Sequence, residues 1–111
     1  MNLDIQAGQI QLRKGFEERL QRKLKFALSR MSAGISSISV ILSEVDGELD
    51  QNKRKNVRAK RCCLKIYSDK YPVATYEDTQ VELYRAIDRA IHKASRAMAR
   101  RHFLHGITAA T

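Results

Sequence analysis

The segment Thr79–His102, TQVELYRAIDRAIHKASRAMARRH, decides how the rest of the chain folds. Read as one α-helix, it carries a basic stripe at spacings of four, four, three and four residues: Arg85, Arg89, Lys93, Arg96 and Arg100. At about 100° per residue, these side chains stay within roughly 80° of arc. An apolar stripe follows helical spacing on the opposite side: Tyr84, Ile87, Ile91, Ala94 and Met98. The pattern predicts a helix with one side in a core and a basic side in solvent.

Two signals set the predicted bounds of this helix. Thr79 and Glu82 have the spacing of a capping box, in which each side chain binds a backbone N–H at the helix start. Gly106 is predicted to end the ordered structure, because glycine commonly terminates helices. We therefore expect one domain over residues 1–105 and a short disordered tail over residues 106–111.

Length and charge narrow the class of protein. The 111 residues suit one domain, and a hydrophobic fraction of 43% is enough for a core. Lys and Arg number 21 against 12 Asp and Glu, a formal net charge of +9. This balance favours a polyanionic partner, either nucleic acid or an anionic membrane surface. No apolar run approaches the ~18 residues of a membrane span, and the first residues do not resemble a signal peptide.

The upstream residues predict an α+β fold with the order β-α-β-β-β-α. Strands are predicted at residues 2–7, 35–43, 57–67 and 72–76, and a helix at residues 12–31. The first two strands should be parallel because a helix connects them, and the last three should form an antiparallel meander. The result is a four-stranded mixed sheet with both helices packed on one face and their basic sides exposed together.

The first predicted helix adds candidate contacts. Arg22 points away from its apolar stripe, and Lys23 lies towards one edge of that stripe. Phe26 falls on the polar side. A single exposed aromatic residue usually has no function, but beside Arg22 and Arg30 this ring could stack on a base.

Two further stretches do not point to one particular function. Residues 44–56 are predicted to be a loop that begins acidic and turns basic: either a solvated hairpin loop or one whose basic half touches phosphate. Cys62 and Cys63 are the only two cysteines. Adjacent cysteines rarely form a structural disulfide, so we expect one thiol in the core and one on the outer face of a strand.

The second helix resembles a known family signature, which reads roughly m-Y-x-A-I-D and then K-L-x-R-Q-L-x-K. The matching residues are Leu83-Tyr84-Arg85-Ala86-Ile87-Asp88, followed by Lys93, Arg96, Met98 and Arg100. The family is that of the bacterial ribosome hibernation-promoting factor and ribosome-associated inhibitor A, also described as sigma-factor modulation proteins. Residues 40–42 resemble the family's second strand and residues 20–24 its first helix, so the resemblance covers most of the chain.

The resemblance implies the shape of a double-stranded-RNA-binding domain and a function on the ribosome. Family members bind ribosomal RNA of the small subunit, in the channel used by mRNA and the A- and P-site tRNAs, and keep idle ribosomes from translating. It therefore implies a cytoplasmic bacterial protein of ribosome hibernation, stress response and stationary phase. Off the ribosome we expect a monomer, and a ribosome-dimerising factor is a candidate further partner.

The predicted RNA-binding residues are Arg22, Lys23, Arg85, Arg89, Lys93, Arg96, Arg100 and Arg101. Four of them match positions where the family carries basic contacts: Lys23, Lys93, Arg96 and Arg100. Arg85 and Arg89 extend the stripe by helical geometry alone. The sequence departs from the family pattern at Phe26, Ala94, Ala97 and Ala99. The long family form has a second, dimerising domain, and only a short stretch follows the second helix here, as in the short form.

Two other functions compete with this interpretation. A generic double-stranded-RNA-binding module usually has the order α-β-β-β-α, so the predicted first strand argues against it. A regulator that binds a protein, such as a transcription factor, through the exposed sheet face would need no RNA.

No catalytic or metal-binding pattern accompanies the histidines. His92, His102 and His105 cluster near the C-terminus without a carboxylate, thiol or serine at catalytic or metal spacing. We therefore expect no enzymatic activity, no metal and no cofactor. We also expect no membrane partner, because the apolar stripe of the second helix lacks Trp and is used in the core.

Overall fold

The computed structural model describes residues 2–29, 34–45 and 58–110, with side chains as far as Arg101. Its elements are β1 (Asn2–Gln6), α1 (Phe16–Ala27), β2 (Ile35–Val45), β3 (Ala59–Ser68), β4 (Ala74–Gln80) and α2 (Leu83–Ala110). The predicted α+β class and the order β-α-β-β-β-α are confirmed. Most of the predicted loop, residues 46–56, lies outside the described residues; Glu44 belongs to β2.

The sheet has the predicted mixed topology, with its four strands in sequence order. β1 pairs with β2 in parallel, with Leu3 opposite Ile38. β2, β3 and β4 are antiparallel neighbours, with Val40 opposite Leu64 and Leu64 opposite Tyr76. The parallel pair follows from α1, which carries the chain back across the sheet before β2 starts.

One face of the sheet and both helices form a single core. Alternate residues of β2 and β3 point into it: Ile38, Val40, Leu42, Cys62, Leu64 and Ile66. The helices contribute Phe16, Leu20, Leu24 and Leu28 from α1, and Ala86, Ile87, Ala90, Ile91 and Ala94 from α2. The other face, which we call the open face, carries the intervening residues, such as Cys63 and Lys65. Tyr84, predicted in the core, is instead 39% exposed at the start of α2.

The capping box predicted at the start of α2 is wrong. Thr79 lies in β4, opposite Arg61 of β3. Its backbone therefore belongs to the sheet ladder and does not cap a helix. The helix begins at Leu83, after a two-residue bend. Its first turn is closed by the backbone N–H of Ala86, which donates to the Glu82 carbonyl at 3.1 Å.

The predicted helix ends also shift. α1 begins at Phe16 and not at residue 12, because Gly15 before it adopts a left-handed conformation, with φ 79°. α2 continues past His102 and through Gly106 to Ala110. A glycine inside a helix costs only about 1 kcal/mol relative to alanine, so it does not by itself end one.

Leu64 should be a strong determinant of stability, because it is fully buried between the sheet and the helices. Leu64→Ala should lower the free energy of unfolding by about 2–5 kcal/mol, as measured by chemical denaturation. Val73→Ala is the control: that side chain is 50% exposed, and the loss should stay below about 1 kcal/mol. Equal losses for both variants would contradict this placement of the core.

Candidate nucleic-acid interface

The five residues of the basic stripe are exposed along α2, as the spacing predicts. The stripe, however, does not lie directly opposite the core. Ala86, Ala90 and Ala94 face the sheet with no exposed surface, and the stripe lies on the flank of α2 that overhangs β4. The other flank faces α1, since the Ser95 hydroxyl donates to the Ala27 carbonyl at 3.0 Å.

Asp78 of β4 holds two stripe residues in place. Its side chain is only 6% exposed. Its carboxylate accepts from Arg89 Nε at 3.1 Å, Lys93 Nζ at 3.1 Å and Gln80 Nε2 at 2.8 Å. Lys93 Nζ also donates to the Glu77 carbonyl oxygen at 2.9 Å. Arg89 and Lys93 are thus tied to the edge of the sheet, while about half of each side chain remains exposed (54% and 50%).

The charge state of Asp78 follows from two opposing effects. Burial on its own would raise the pKa of this carboxyl. The hydrogen bonds from Gln80, Lys93 and Arg89, with the positive charge of Lys93, outweigh burial and hold the pKa below its usual value. The carboxylate therefore stays ionised at neutral pH and compensates part of the positive charge of the stripe.

Asp78 is not among the residues predicted from the sequence, because the fourth strand was predicted to end at Tyr76. The signal was available, since the alternation that places Tyr76 inward also places Asp78 and Gln80 inward. An acidic residue on the inward side of an edge strand, beside a helix that carries only cations on one flank, predicts an ion pair between the two elements.

Lys23 of α1 lies in another ion pair. Its ammonium group binds the carboxylate of Asp88 in α2, and both side chains are about half exposed (56% and 54%). The pair connects the outer surfaces of the two helices. An exposed pair of this kind contributes at most about 1 kcal/mol, so an anionic ligand can compete with Asp88 for the lysine.

The remaining predicted residues keep more freedom. Arg22, Arg85, Arg96 and Arg100 are exposed and make no ion pair or hydrogen bond with another residue in the described part of the chain. The guanidinium of Arg101 stacks over the Tyr71 ring, 5.4 Å from its centroid. Of the eight predicted residues, three are therefore held by carboxylates, one by an aromatic ring, and four have their full donor capacity available.

Comparisons with known proteins identify the family of the chain. The family model described as sigma 54 modulation protein / S30EA ribosomal protein matches residues 3–102. The chain belongs to this family. It is a family of ribosome-associated proteins, and the resemblance noted from the second helix is confirmed. A comparison with curated protein sequences finds no match.

Two solved bacterial structures illustrate the shared fold. A ribosomal subunit interface protein from Coxiella burnetii superposes with a TM-score of 0.68 at 13% identity, covering 92% of this chain and 98% of that one. The N-terminal domain of Thermus thermophilus Protein Y gives a TM-score of 0.67 at 20% identity, covering 90% and 98%. At these identities the likeness shows the fold alone.

A second cluster of charges lies where β2, β3 and the start of α2 meet. Glu44 accepts from Lys60 Nζ at 3.2 Å and from Arg58 at 3.5 Å. The hydrogen bond from Lys60 is the main reason that the pKa of the Glu44 carboxyl is lowered. Nearby, the Arg13 guanidinium lies 5.5 Å from the centroid of the Tyr84 ring. These cations are partnered, so less of their donor capacity is available than in the free arginines.

Other kinds of site find little support among the described residues. Within residues 2–29, 34–45 and 58–101, no group of His, Cys, Asp and Glu side chains is arranged to hold a metal ion. No helix in the part of the chain that the structure describes has the length and hydropathy of a membrane span.

Cys62 and Cys63 are free thiols, and Cys62 is buried as predicted. Its burial raises the pKa of its thiol to about 12.

Removing the Asp78 charge should destabilise this family member. Asp78→Asn keeps the shape but leaves Arg89 and Lys93 without their anion, and should lower the free energy of unfolding at neutral pH by about 1–2 kcal/mol. Chemical denaturation measures the loss. Asp69→Asn, at an exposed bend, is the control and should have almost no effect.

The wild type and Asp78→Asn should also differ in how their free energy of unfolding depends on pH. An Asp in an unfolded chain has a pKa of about 3.9, and the folded-state pKa of Asp78 is lower. The stabilisation is therefore present above about pH 4 and is lost as the pH falls through the folded-state pKa. The stability difference between the wild type and Asp78→Asn should shrink as the pH is lowered from about 5 towards about 3. A difference that stays constant over this range would contradict an ionised Asp78.

Proposed function

We propose that the protein binds the small ribosomal subunit at the mRNA/tRNA channel through the basic sides of α1 and α2, and holds ribosomes inactive. The observation that carries the proposal is a set of exposed cations that have no partner among the described residues: Arg22, Arg85, Arg96 and Arg100. Membership of a ribosome-associated family supports the ribosome as the source of the RNA. So does the likeness to a ribosomal subunit interface protein.

The binding energy comes from phosphate neutralisation. Each Lys or Arg that replaces counterions on a phosphate releases them to solution, so affinity falls as the salt concentration rises. Arg89 and Lys93 keep about half of their side-chain surface exposed while Asp78 fixes their position. They bind with less loss of side-chain entropy than flexible cations would. The free arginines supply bidentate donors for phosphate.

Inhibition then follows from occupancy and requires no chemical step. α2 has 28 residues and extends about 42 Å, which places the stripe along a stiff rod. A rigid body of 56 × 30 × 20 Å bound in the channel excludes mRNA and tRNA from the same space. RNA shape and phosphate geometry therefore matter more for recognition than base sequence does.

The protein acts on ribosomes in the bacterial cytoplasm during stress and stationary phase, needs no cofactor and catalyses no reaction. Off the ribosome it is a monomer. It either inactivates single ribosomes or acts with a factor that pairs them, and sedimentation of ribosomes with bound protein distinguishes single from paired particles.

Co-sedimentation tests the proposal. The purified protein is mixed with small subunits, whole ribosomes or naked duplex RNA across a salt series. We expect saturable, salt-sensitive binding to small subunits that is lost when mRNA and tRNA are added. Equal affinity for naked duplex RNA would instead identify a generic RNA-binding module, and salt-insensitive binding to a protein without RNA would identify a protein-binding regulator.

Arg96→Ala should weaken binding by the amount of one phosphate contact. The slope of log K against log salt should fall by about 0.7–0.9, which corresponds to about five- to eightfold weaker binding at roughly 0.1 M salt. Arg61→Ala removes the same charge from the open face and is the matched control. An unchanged slope for Arg96→Ala, or an equal change for Arg61→Ala, would exclude the basic stripe as the binding surface.

A further inference from the structure

Phe26 of α1 is the most exposed large hydrophobic residue in the described part of the chain. Its side chain is 86% exposed, against 50% for Val73 and 47% for Val81. The ring points away from the core side of α1, where Phe16, Leu20 and Leu24 are buried. Since the fold gains no burial from this ring, its surroundings decide whether it has a role.

Those surroundings are positively charged. Arg19, Arg22 and Lys23 precede Phe26 by seven, four and three residues and therefore lie on the same side of α1. Lys23 is bound to Asp88, and Arg19 donates to the Lys14 carbonyl at 3.3 Å. Arg22, one helical turn from the ring, has no partner among the described residues. Among the described residues, this surface thus combines one exposed aromatic ring with one free guanidinium.

We propose that Phe26 stacks on an unpaired base of the bound RNA while Arg22 contacts an adjacent phosphate. The inference rests on the proposed RNA-binding function and adds a contact of a different kind. Each base presents a flat π-face to an aromatic ring, and its phosphate lies within reach of a neighbouring cation. One ring and one cation, a single turn apart, match one unstacked nucleotide.

The composition of this surface favours RNA over protein or membrane. A protein hot spot surrounds its aromatic anchor with other groups that exclude water, and an interfacial helix presents a row of apolar residues. On the outer side of α1, Phe26 has charged neighbours at its preceding turns: Arg19, Arg22 and Lys23. A single nucleobase is the ligand that one isolated ring can bind while its neighbours remain hydrated or bind phosphate.

Affinity and salt dependence together separate stacking from charge. Phe26→Ala should weaken binding to small subunits by about 5- to 100-fold while the salt slope stays unchanged, because no charge is lost. Phe26→Tyr should keep the affinity within about threefold, since the π-face remains. Phe26→Leu keeps apolar bulk without a π-face and should resemble Phe26→Ala. Tyr67→Ala, on the open face, is the matched aromatic control and should bind like the wild type.

Fluorescence gives a direct readout, because the chain contains no tryptophan. Phe26→Trp introduces a single indole, whose emission should be quenched on binding as it stacks on a base. Tyr67→Trp should show no change. A shift to shorter wavelength without quenching would indicate burial against ribosomal protein, and the same shift on anionic vesicles alone would indicate a membrane contact; either result would overturn the stacking proposal.

The outcomes also separate this inference from the proposed function. If wild type and Phe26→Ala bind small subunits equally well, the stacking contact is overturned and the occupancy mechanism stands. If Phe26→Leu retains full affinity, an apolar contact replaces stacking and the inference again fails. If the wild type itself does not bind, the proposed function fails before the variants are compared. Unfolding curves should be the same for all variants, because the ring is exposed in the folded protein.

Discussion

The contact of three alanines with the sheet determines the rest of the arrangement. Ala86, Ala90 and Ala94 recur every four residues, and each is completely buried. Their small side chains let α2 approach β3 and β4 closely, and this close packing fixes the rotation of the helix about its own axis. Once that rotation is fixed, the basic stripe must overhang β4, and the opposite flank must face α1. Larger residues at these positions would lift and turn the helix, and the whole set of charges would turn with it.

Because of this packing, Asp78 lies where it can neutralise part of the basic stripe. A helix flank that carries only cations repels itself, and an edge strand exposes backbone groups that can pair with other chains. The Asp78 carboxylate reduces the repulsion because it neutralises part of the stripe. It also holds Lys93 over the edge of β4, where the lysine donates to the Glu77 carbonyl. In the part of the chain that the structure describes, Arg85, Arg96 and Arg100 lie farther from Asp78 and have no anionic partner. The stripe therefore has fixed, partly neutralised cations next to Asp78 and free cations farther from it.

The fold could be predicted to a large extent because its signals are local. The inward alternation of Val40, Leu42, Leu64 and Ile66 and the four-residue spacing of Phe16, Leu20 and Leu24 each depend on a few neighbouring residues. Element ends were less predictable. Thr79 and Glu82 form a good capping pattern, but pairing of β4 with β3 kept Thr79 in the strand, and the sequence does not reveal this competition.

The exposure of the candidate residues could be predicted from the sequence, and their pairings less so. Helical geometry and the family resemblance selected cations that are exposed, including Arg85, Arg96 and Arg100. That Lys23 binds Asp88, or that Asp78 binds Arg89, depends on which elements lie side by side, and this information appears only once the chain is folded. The site is therefore a property of the packing as much as of the composition.

The two adjacent cysteines place thiols of different accessibility on the two faces of the sheet. Cys62 points into the core, where burial keeps its thiol protonated, whereas Cys63 is half-buried on the open face. Their opposite directions prevent the pair from closing a disulfide without distorting the strand. Oxidants therefore meet a protected thiol on one side and an accessible thiol on the other. A chromophore or cross-linker attached at Cys63 would mark the protein on the side away from its basic helices, with no need to change the sequence.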